Sequence, residues 1–155
     1  DDSKILGVHF RGTDYKAGYQ NHPVAVQIEQ TIAQVKKCLE KNAFQKIFLA
    51  TDEKSAVERF EKEFPGKVSY FQDVYRGEGN TSIAFSQSDR PNHHYRLGYE
   101  VLRDMYALAA CDGLVAGLSQ VVNCARIVKE SSGEEYDTLC IINNGINISG
   151  KQFTK

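Results

Sequence analysis

Lys4-Ile-Leu-Gly-Val-His-Phe10 is an apolar run that leads directly into the polar segment Arg11-Gly-Thr-Asp14-Tyr-Lys16. The run lacks a clean alternation of polar and apolar residues, which is typical of a strand buried on both faces of a parallel sheet. Ligands of such sheets bind in the crevice at the carboxyl ends of the strands. Arg11 stands at that end, and its permanently charged, forked guanidinium is suited to holding a phosphate or a carboxylate.

The rest of the chain alternates between amphipathic and apolar segments. Helices are predicted over 23–41, 54–64, 95–111 and 121–130, and further strands over 46–50, 67–71, 114–116 and 138–142. One face of the third helix is expected to carry Gly98, Leu102, Met105, Tyr106 and Ala109. This order predicts an α/β fold, a Rossmann-like doubly wound parallel sheet of about five strands arranged 3-2-1-4-5.

Length and composition are those of one ordinary folded domain. The 155 residues are 41% hydrophobic and 25% charged, enough for a core without disulfide or metal staples. The net charge of −1 argues against nonspecific binding of nucleic acid, which needs a basic face. No apolar run approaches the roughly 20 residues of a membrane span, so none is expected, and the compartment stays open. The cysteines show no C-x-x-C spacing, which argues against zinc and for buried, reduced thiols.

One long segment interrupts the alternation. Residues 72–94 are rich in Gly, Ser, Asn, Asp and Gln. A segment of this length far exceeds the usual connection of ~4–6 residues, so we expect it to be functional or disordered. Arg90, His93, His94 and Arg96 form a basic cluster near its end, interpreted either as solvated surface or as part of a loop that closes over a ligand.

Three loops should meet at the crevice, because strands one and four flank the point where the strand order reverses. They comprise residues 11–16, 51–52 and 117–120. Ser119 and Gln120 would begin a helix, where free backbone N–H groups attract anions, and Gly117 would let a ligand approach the backbone. The glycine patterns of dinucleotide-binding folds and P-loop NTPases are missing from the sequence, which removes most support for those functions.

Asp104 falls at the edge of the apolar face of the third predicted helix, just beyond Leu97. A carboxylate on that border can serve a ligand in the adjoining cleft. Its oxygens can accept the paired N1–H and N2–H donors of a guanine, a two-point contact that adenine does not offer.

Each of these residues also has a purely structural interpretation. Arg11 and Asp14 would form a loop salt bridge. His9 would be a satisfied core histidine, and Asp104 a solvated boundary residue. Thr51-Asp52 and Ser119 would only cap helices.

Three segments together resemble the fucosyltransferase superfamily that includes core α1,6-fucosyltransferases, rhizobial nodulation fucosyltransferases and protein O-fucosyltransferases. His9-Phe-Arg11-Gly-Thr-Asp14 is similar to its H-x-R-x-x-D motif. Ile47-Phe-Leu-Ala-Thr-Asp52-Glu53 is similar to its second motif, a strand that ends in T-D-[DE]. Asp104 resembles the start of the third motif, which continues at Leu118-Ser119-Gln120-Val121 and Arg126.

The resemblance implies the donor-binding half of a two-domain GT-B glycosyltransferase that transfers fucose from GDP-fucose, inverting and without a metal or other cofactor. On the matching positions, Arg11 would be the catalytic residue that holds the diphosphate and stabilises the departing GDP. The donor-binding residues would be His9 and Asp104 at the guanine, Ser119 and Gln120 at the phosphates, and Asp14 and Asp52 as orienting groups.

The sequence departs from core fucosyltransferases directly after Asp14. Those enzymes have a lysine there and a glutamate four residues further on, whereas this chain has Tyr15 and Tyr19. Lys16 replaces the lysine only by a one-residue shift. The acceptor base and the acceptor therefore stay open.

We expect residues 1–155 to be a GDP-sugar-binding domain, a piece of a longer protein that here lacks an N-terminal acceptor domain. The first candidate function is a glycosyltransferase donor domain, whose glycan or peptide acceptor would be held by that missing domain. Two alternatives stay open: a non-catalytic nucleotide-sugar-binding or interaction module, and a generic Rossmann-like domain for another phosphorylated metabolite. The fragment alone is expected to bind GDP weakly and to transfer almost no sugar.

Overall fold

The first apolar segment forms the central strand of a parallel sheet. A computed structural model describes residues 3–41 and 44–152. In it, β1 (Lys4–Phe10) pairs with β2 (Phe44–Thr51) on one side and with β4 (Gly113–Gly117) on the other. β3 (Val68–Ser69) and β5 (Thr138–Ile142) complete the five strands of the described chain, in the order β3-β2-β1-β4-β5. The predicted fold class and strand order are confirmed.

The helices of the described residues cover both faces of this sheet. They are α1 (Ile28–Lys41), α2 (Lys54–Glu63), α3 (His93–Ala110) and α4 (Gln120–Ser131). α1 begins later than predicted, because residues before it bond to the end of the chain instead. The Val24 amide donates to the Gly145 carbonyl at 2.9 Å, and Pro23 forms an isolated bridge with Ile146. β3 is shorter than predicted.

Two apolar layers sandwich the sheet. One contains Leu6 and Val8 of β1 with residues of α1 and α2, and the other contains Leu114 and Ala116 of β4 with residues of α3 and α4. Successive side chains of a strand point to opposite faces, so strands covered on both faces carry apolar residues at nearly every position. This explains the continuous apolar pattern of β1.

α3 does not bury the face that the sequence predicted. Leu102 and Tyr106 are exposed, as is Gly98, so that prediction is wrong for these three residues. One side of α3 packs on the sheet and α4, and the other side faces solvent. Apolar residues occupy both sides, and periodicity alone does not tell them apart. The buried residues of α3 are His93, Leu97, Glu100, Asp104, Met105, Leu108 and Ala109.

The long segment after β3 packs against the domain. Gly77 forms an isolated parallel bridge with Glu53, and Ile83–Phe85 form a 3₁₀ turn. Arg76 Nη2 donates to the Phe71 carbonyl at 3.0 Å. These bonds place residues 72–92 over the carboxyl edge of the sheet, beside the end of β2.

Two expectations from composition can be compared with the structure. Cys38 and Cys111 are buried and Cys140 is half-buried, but Cys124 is exposed, so the prediction of buried thiols is wrong for Cys124. Within residues 3–41 and 44–152, no helix has the length and apolar character needed to cross a membrane.

Candidate functional site

Arg11 lies at the carboxyl end of β1 between two aspartates. Its Nε donates to Asp14 Oδ1 at 3.0 Å and lies 3.1 Å from Asp52 Oδ2, while Nη2 donates to Asp14 Oδ2 at 3.2 Å. In the described part of the chain, no hydrogen bond engages Nη1. Burial lowers the pKa of Arg11, but the Asp14 hydrogen bonds and the charges of Asp52 and Asp14 outweigh it and raise that pKa above its ordinary value. The loop salt bridge exists, and it leaves part of the guanidinium available.

Asp52 holds the loop that carries Arg11. Its Oδ1 accepts the Gly12 amide at 2.8 Å, and its Oδ2 accepts the Thr13 hydroxyl at 2.7 Å. The interpretation of Thr51-Asp52 as a helix cap is therefore wrong; Glu53 precedes α2, without a side-chain capping bond. A side chain at Gly12 would overlap the Glu53 side chain, so the close packing of this loop on Glu53, at the start of α2, requires glycine there.

A cleft opens beside Arg11 at the carboxyl edge of the sheet, as the predicted topology requires. It encloses about 450 Å³, its open mouth included. The ends of β1 and β2, the start of α4, one side of α3 and the segment 72–92 all contribute to its wall. The lining residues are His9, Arg11, Thr51, Asp52, Val74, Tyr75, Ile83, Leu97, Glu100, Val101, Asp104 and Val121.

Asp104 presents a buried carboxylate to this cleft. Its Oδ1 is buried and has no hydrogen-bond partner among the described residues, so the interpretation as a solvated residue is wrong. Burial raises the pKa of Asp104 to about 7, although the nearby charges of Arg76 and Arg103 lower it. An unpaired buried oxygen costs about 1–3 kcal/mol. A ligand that donates hydrogen bonds to Asp104 would recover that free energy.

His9 connects the cleft to the start of α4. Its Nδ1 lies 3.4 Å from Ser119 Oγ, which also accepts the Val122 amide at 3.2 Å. Ser119 thus caps α4 and contacts His9 as well. Burial, reinforced by the charge of Arg11, lowers the pKa of His9 to about 3. His9 is therefore a neutral hydrogen-bonding group above that pH.

The structure does not bring every predicted side chain into the cleft. The Gln120 side chain is exposed and accepts a hydrogen bond from Asn123 Nδ2 at 3.3 Å. Gly117 lines the second pocket described below, and an added Cβ there would stand 3.0 Å from Val26 Cγ2. Lys16 forms an ion pair with Glu53.

A buried network around Glu100 fixes the segment 72–92 to α3. Arg90 donates through Nη1 to Glu100 Oε1 at 2.5 Å and through Nη2 to Oε2 at 3.1 Å. The Tyr75 amide donates to Glu100 Oε2 at 3.2 Å. Arg90 and Glu100 thus hold the cleft wall that contains Tyr75.

His93 extends this network to Ser86, and its partners define which ring nitrogen carries the proton. Arg90 Nε, which is only a donor, lies 2.7 Å from His93 Nδ1, so Nδ1 accepts and the ring proton is on Nε2. That nitrogen lies 2.9 Å from Ser86 Oγ. The solvated-surface interpretation of the basic cluster is therefore wrong for Arg90 and His93, whereas His94 and Arg96 are exposed.

Sequence reasoning missed several residues of the cleft wall. Glu100 lies four residues before Asp104, and helical spacing places both on one side of α3, so a signal for Glu100 was present. Val74, Tyr75 and Ile83 come from the irregular segment, where no periodicity predicts which side chains turn inward.

A second pocket, about 290 Å³ with its open mouth included, adjoins Arg11 and is lined mainly by apolar groups, among them Phe10, Val24, Val26 and Leu118. Tyr15 also lines this pocket, and the Arg11 Cζ lies 5.4 Å from the centroid of its ring. Burial raises the pKa of Tyr15, so its hydroxyl stays protonated at neutral pH. Arg11 therefore borders both the large cleft and this smaller pocket.

The fold and the cleft define the class of this domain. It is a Rossmann-like α/β domain with a cleft at the carboxyl edge of its sheet, and the cleft is lined both by an arginine held by two aspartates and by a carboxylate with one buried, unpaired oxygen. Among the described residues, no group of three or more His, Cys, Asp or Glu side chains is arranged to hold a metal ion.

Comparisons with known proteins found a likeness among solved structures only. No protein-family model matches the chain, and no curated protein matches it. Twelve chains of solved structures match, and they include NodZ alpha-1,6-fucosyltransferase co-crystallized with GDP. That match has 22% sequence identity and a TM-score of 0.49, and it covers 80% of this chain and 35% of the other. The chain thus spans about a third of the length of that structure.

Proposed function

We propose that this domain binds the donor of a glycosyltransferase, GDP-fucose, and supports transfer of the sugar to a glycan or peptide hydroxyl. The observation that carries the proposal is that one cleft is lined both by a guanidinium held by two aspartates and by a carboxylate with a buried oxygen that has no hydrogen-bond partner. Arg11 supplies the guanidinium, and Asp104 supplies the carboxylate. The three motifs that resemble fucosyltransferases include both residues.

The wall around Asp104 suits a flat, hydrogen-bonding base. Tyr75, Ile83, Leu97 and Val101 provide an apolar lining beside the carboxylate. Guanine carries adjacent N1–H and N2–H donors that match the two oxygens of a carboxylate, whereas adenine and uracil do not. His9 is neutral and buried, so it can hydrogen-bond to the nucleotide without adding charge.

Arg11 has the role of neutralising charge as the nucleoside diphosphate departs. Charge grows on the leaving phosphate in the transition state, and a preorganised cation in a partly buried site stabilises it. Asp14 and Asp52 orient the guanidinium, and the backbone N–H groups after Ser119 offer a second anion contact at the start of α4. In this proposal the reaction inverts the sugar configuration and uses no metal.

The proposal assigns residues 1–155 to the donor half of a GT-B enzyme. The acceptor and its base would lie largely on another domain of that enzyme, because this chain has Tyr15 and Tyr19 where core fucosyltransferases carry a lysine and a glutamate. The same departure favours a second candidate, a non-catalytic module that binds a nucleotide sugar.

Titration calorimetry with GDP, ADP, UDP and IDP tests the assignment. We expect GDP to bind at least about tenfold more tightly than ADP or UDP, since a two-point base contact contributes about 1–3 kcal/mol. IDP, which lacks the 2-amino group, should fall between. Asp104→Asn should reduce the preference for GDP, whereas Arg11→Lys should weaken all nucleotides by a similar factor because they share the diphosphate. Arg59→Lys, an exposed arginine of α2, is the control.

Turnover by a full-length enzyme separates the two candidates. Arg11→Ala should reduce transfer about 10²–10³-fold, by analogy with loss of an oxyanion donor. Arg11→Lys is the conservative companion variant. It keeps a cation beside Asp14 and Asp52, so misfolding is not expected from it. Equal affinity for all nucleotides contradicts the guanine assignment. Binding of GDP-fucose without any turnover of the wild type supports the non-catalytic module.

A further inference from the structure

The outward side of α3 carries an apolar stripe that nothing in the described chain covers. Tyr95 is 78% exposed, Tyr99 57%, Leu102 55% and Tyr106 59%. Their spacing of four, three and four residues places them within an arc of about 60° on the helix. The stripe is about 16 Å long at the α-helical rise. Exposed contiguous aromatic and aliphatic side chains mark interaction surfaces.

The stripe is separate from the cleft described above. The cleft is lined from α3 by Leu97, Glu100, Val101 and Asp104. Helical geometry places these residues on the opposite side of α3 from the stripe. A partner bound to the stripe therefore leaves the cleft mouth free, and this surface is independent of the proposed nucleotide site.

The spacing of the four stripe residues indicates what kind of partner surface is complementary to them. Steps of four and three residues are the repeat of a coiled-coil seam, in which side chains of one helix insert between those of another. Tyrosine is enriched at the centres of protein interfaces, because it buries a large rigid area while its hydroxyl stays hydrogen-bonded. An amphipathic helix with an apolar seam is the complement of this pattern.

The side chains beside the stripe carry a net positive charge, because Arg96 is exposed and the exposed carboxylate of Asp73 balances only Arg103. Arg96 and Arg103 lie along one border, and the carboxylates of α3, Glu100 and Asp104, are buried on the other side. Arg103 Nη2 donates to Asp73 Oδ1 at 2.6 Å, and its guanidinium carbon lies 5.7 Å from the centroid of the Tyr99 ring. A second copy of α3 offers these arginines no exposed carboxylate on the same helix, in either orientation. A partner helix with acidic residues beside its apolar seam offers the arginines such carboxylates.

We propose that the stripe Tyr95-Tyr99-Leu102-Tyr106 is a docking surface for an amphipathic helix of a partner protein that carries Glu or Asp beside its apolar seam. A membrane surface fits less well, because stable anchoring needs more cationic side chains than two arginines, one of which is already paired.

Two designed peptides of three heptads test the proposal. Both carry leucine at the seam positions; one has glutamate and the other lysine beside the seam. In fluorescence anisotropy, the acidic peptide should bind at least about tenfold more tightly than the basic one. Leu102→Glu should weaken binding of the acidic peptide at least about tenfold, because it places a charge in the seam. Ile127→Glu is the matched control, since Ile127 is 63% exposed on α4 and lies outside the stripe.

Several outcomes overturn the proposal. Equal binding of both peptides contradicts the charge argument, and unchanged binding by Leu102→Glu contradicts the location. Sedimentation velocity that shows a dimer abolished by Leu102→Glu makes a second copy the occupant. Cosedimentation with phosphatidylserine-containing vesicles, lost in the same variant, makes a membrane the occupant. Thermal unfolding of each variant establishes that a loss of binding is not a loss of fold.

Discussion

Asp104 and His9 both line the cleft, and burial shifts their pKa values in opposite directions. Burial raises the pKa of Asp104 from 3.8 to about 7, so between these values the folded protein holds a proton that the unfolded chain has released. This contribution to stability is full at low pH and is lost as pH rises toward 7. Burial lowers the pKa of His9 from 6.5 to about 3, and its contribution is instead lost as pH falls through that window.

Asp104→Asn tests the assignment at the residue scale. The amide stays neutral at every pH, so the variant should gain melting temperature relative to the wild type as pH rises from 5 to 8. The affinity of wild type for GDP should increase over the same range, because only the ionised carboxylate accepts with both oxygens. The variant should show a smaller increase in calorimetry, because only the terminal phosphate of GDP, with a second pKa of about 6, then changes its charge over this range.

Asp89→Asn is the control for this titration, because Asp89 is an exposed carboxylate of the segment 72–92. A GDP affinity of the wild type that does not change between pH 5 and 8 would contradict the contact between Asp104 and the base. If the melting temperature of Asp104→Asn changed with pH in the same way as that of the wild type, this would instead contradict the effect of burial on the pKa of the carboxyl group.

At the element scale, the segment 72–92 acts as a wall because side chains from α3 hold it. Arg90, Glu100 and His93 form a chain of hydrogen bonds whose donors and acceptors are all matched. Satisfied buried networks specify one conformation, and removal of one member leaves the others unpaired. The position of Tyr75 and Ile83 at the cleft therefore depends on this network rather than on local backbone preference.

His93→Ala tests that dependence. It removes the acceptor of Arg90 Nε and the donor to Ser86, so the variant should lose about 1–3 kcal/mol of stability in urea unfolding. Hydrogen exchange of the Tyr75 amide, which donates to Glu100, should become faster in the same variant. His94→Ala is the control, since His94 is exposed one residue further along α3. Equal exchange of the Tyr75 amide in both variants would show that the wall does not need the network.

At the scale of the whole molecule, the cleft exists because the sheet is doubly wound. β1 lies between β2 and β4, so the loops after all three strands meet at one edge. Arg11, Asp52 and Asp104 come from three different elements, and a ligand that contacts them ties both layers of the domain together. We expect such a ligand to stabilise the whole domain and not one loop.

GDP should accordingly raise the melting temperature of this chain in a concentration-dependent way. Free ligand at 100 times its Kd contributes about 2.7 kcal/mol to stability. We expect the same preparation to show negligible transfer from labelled GDP-fucose to oligosaccharide or peptide acceptors, because the proposed acceptor site lies on another domain. Robust transfer by the 155-residue chain would contradict the proposed division into domains.

Much of the fold follows from local patterns, whereas the site follows only in part. The strand order was predictable because alternating strands and helices of these lengths have few right-handed arrangements. Arg11 and Asp52 were predictable as neighbours, because both follow central strands of one sheet. The helix-cap interpretation of Asp52 was wrong, since the competing partners, Gly12 and Thr13, are distant in sequence. The start of α1 was misplaced for the same reason.

The amino-acid sequence by itself determined the doubly wound sheet, the edge at which the cleft opens and the position of Arg11 on that edge. Periodicity and strand order are short-range properties, and they are sufficient for these features. The tertiary structure alone decided which side of α3 is buried, which side chains of the segment 72–92 line the cleft, and that Oδ1 of Asp104 has no hydrogen-bond partner among the described residues. These features depend on packing between segments far apart in the chain, where burial and the available hydrogen-bond partners are set by the whole molecule.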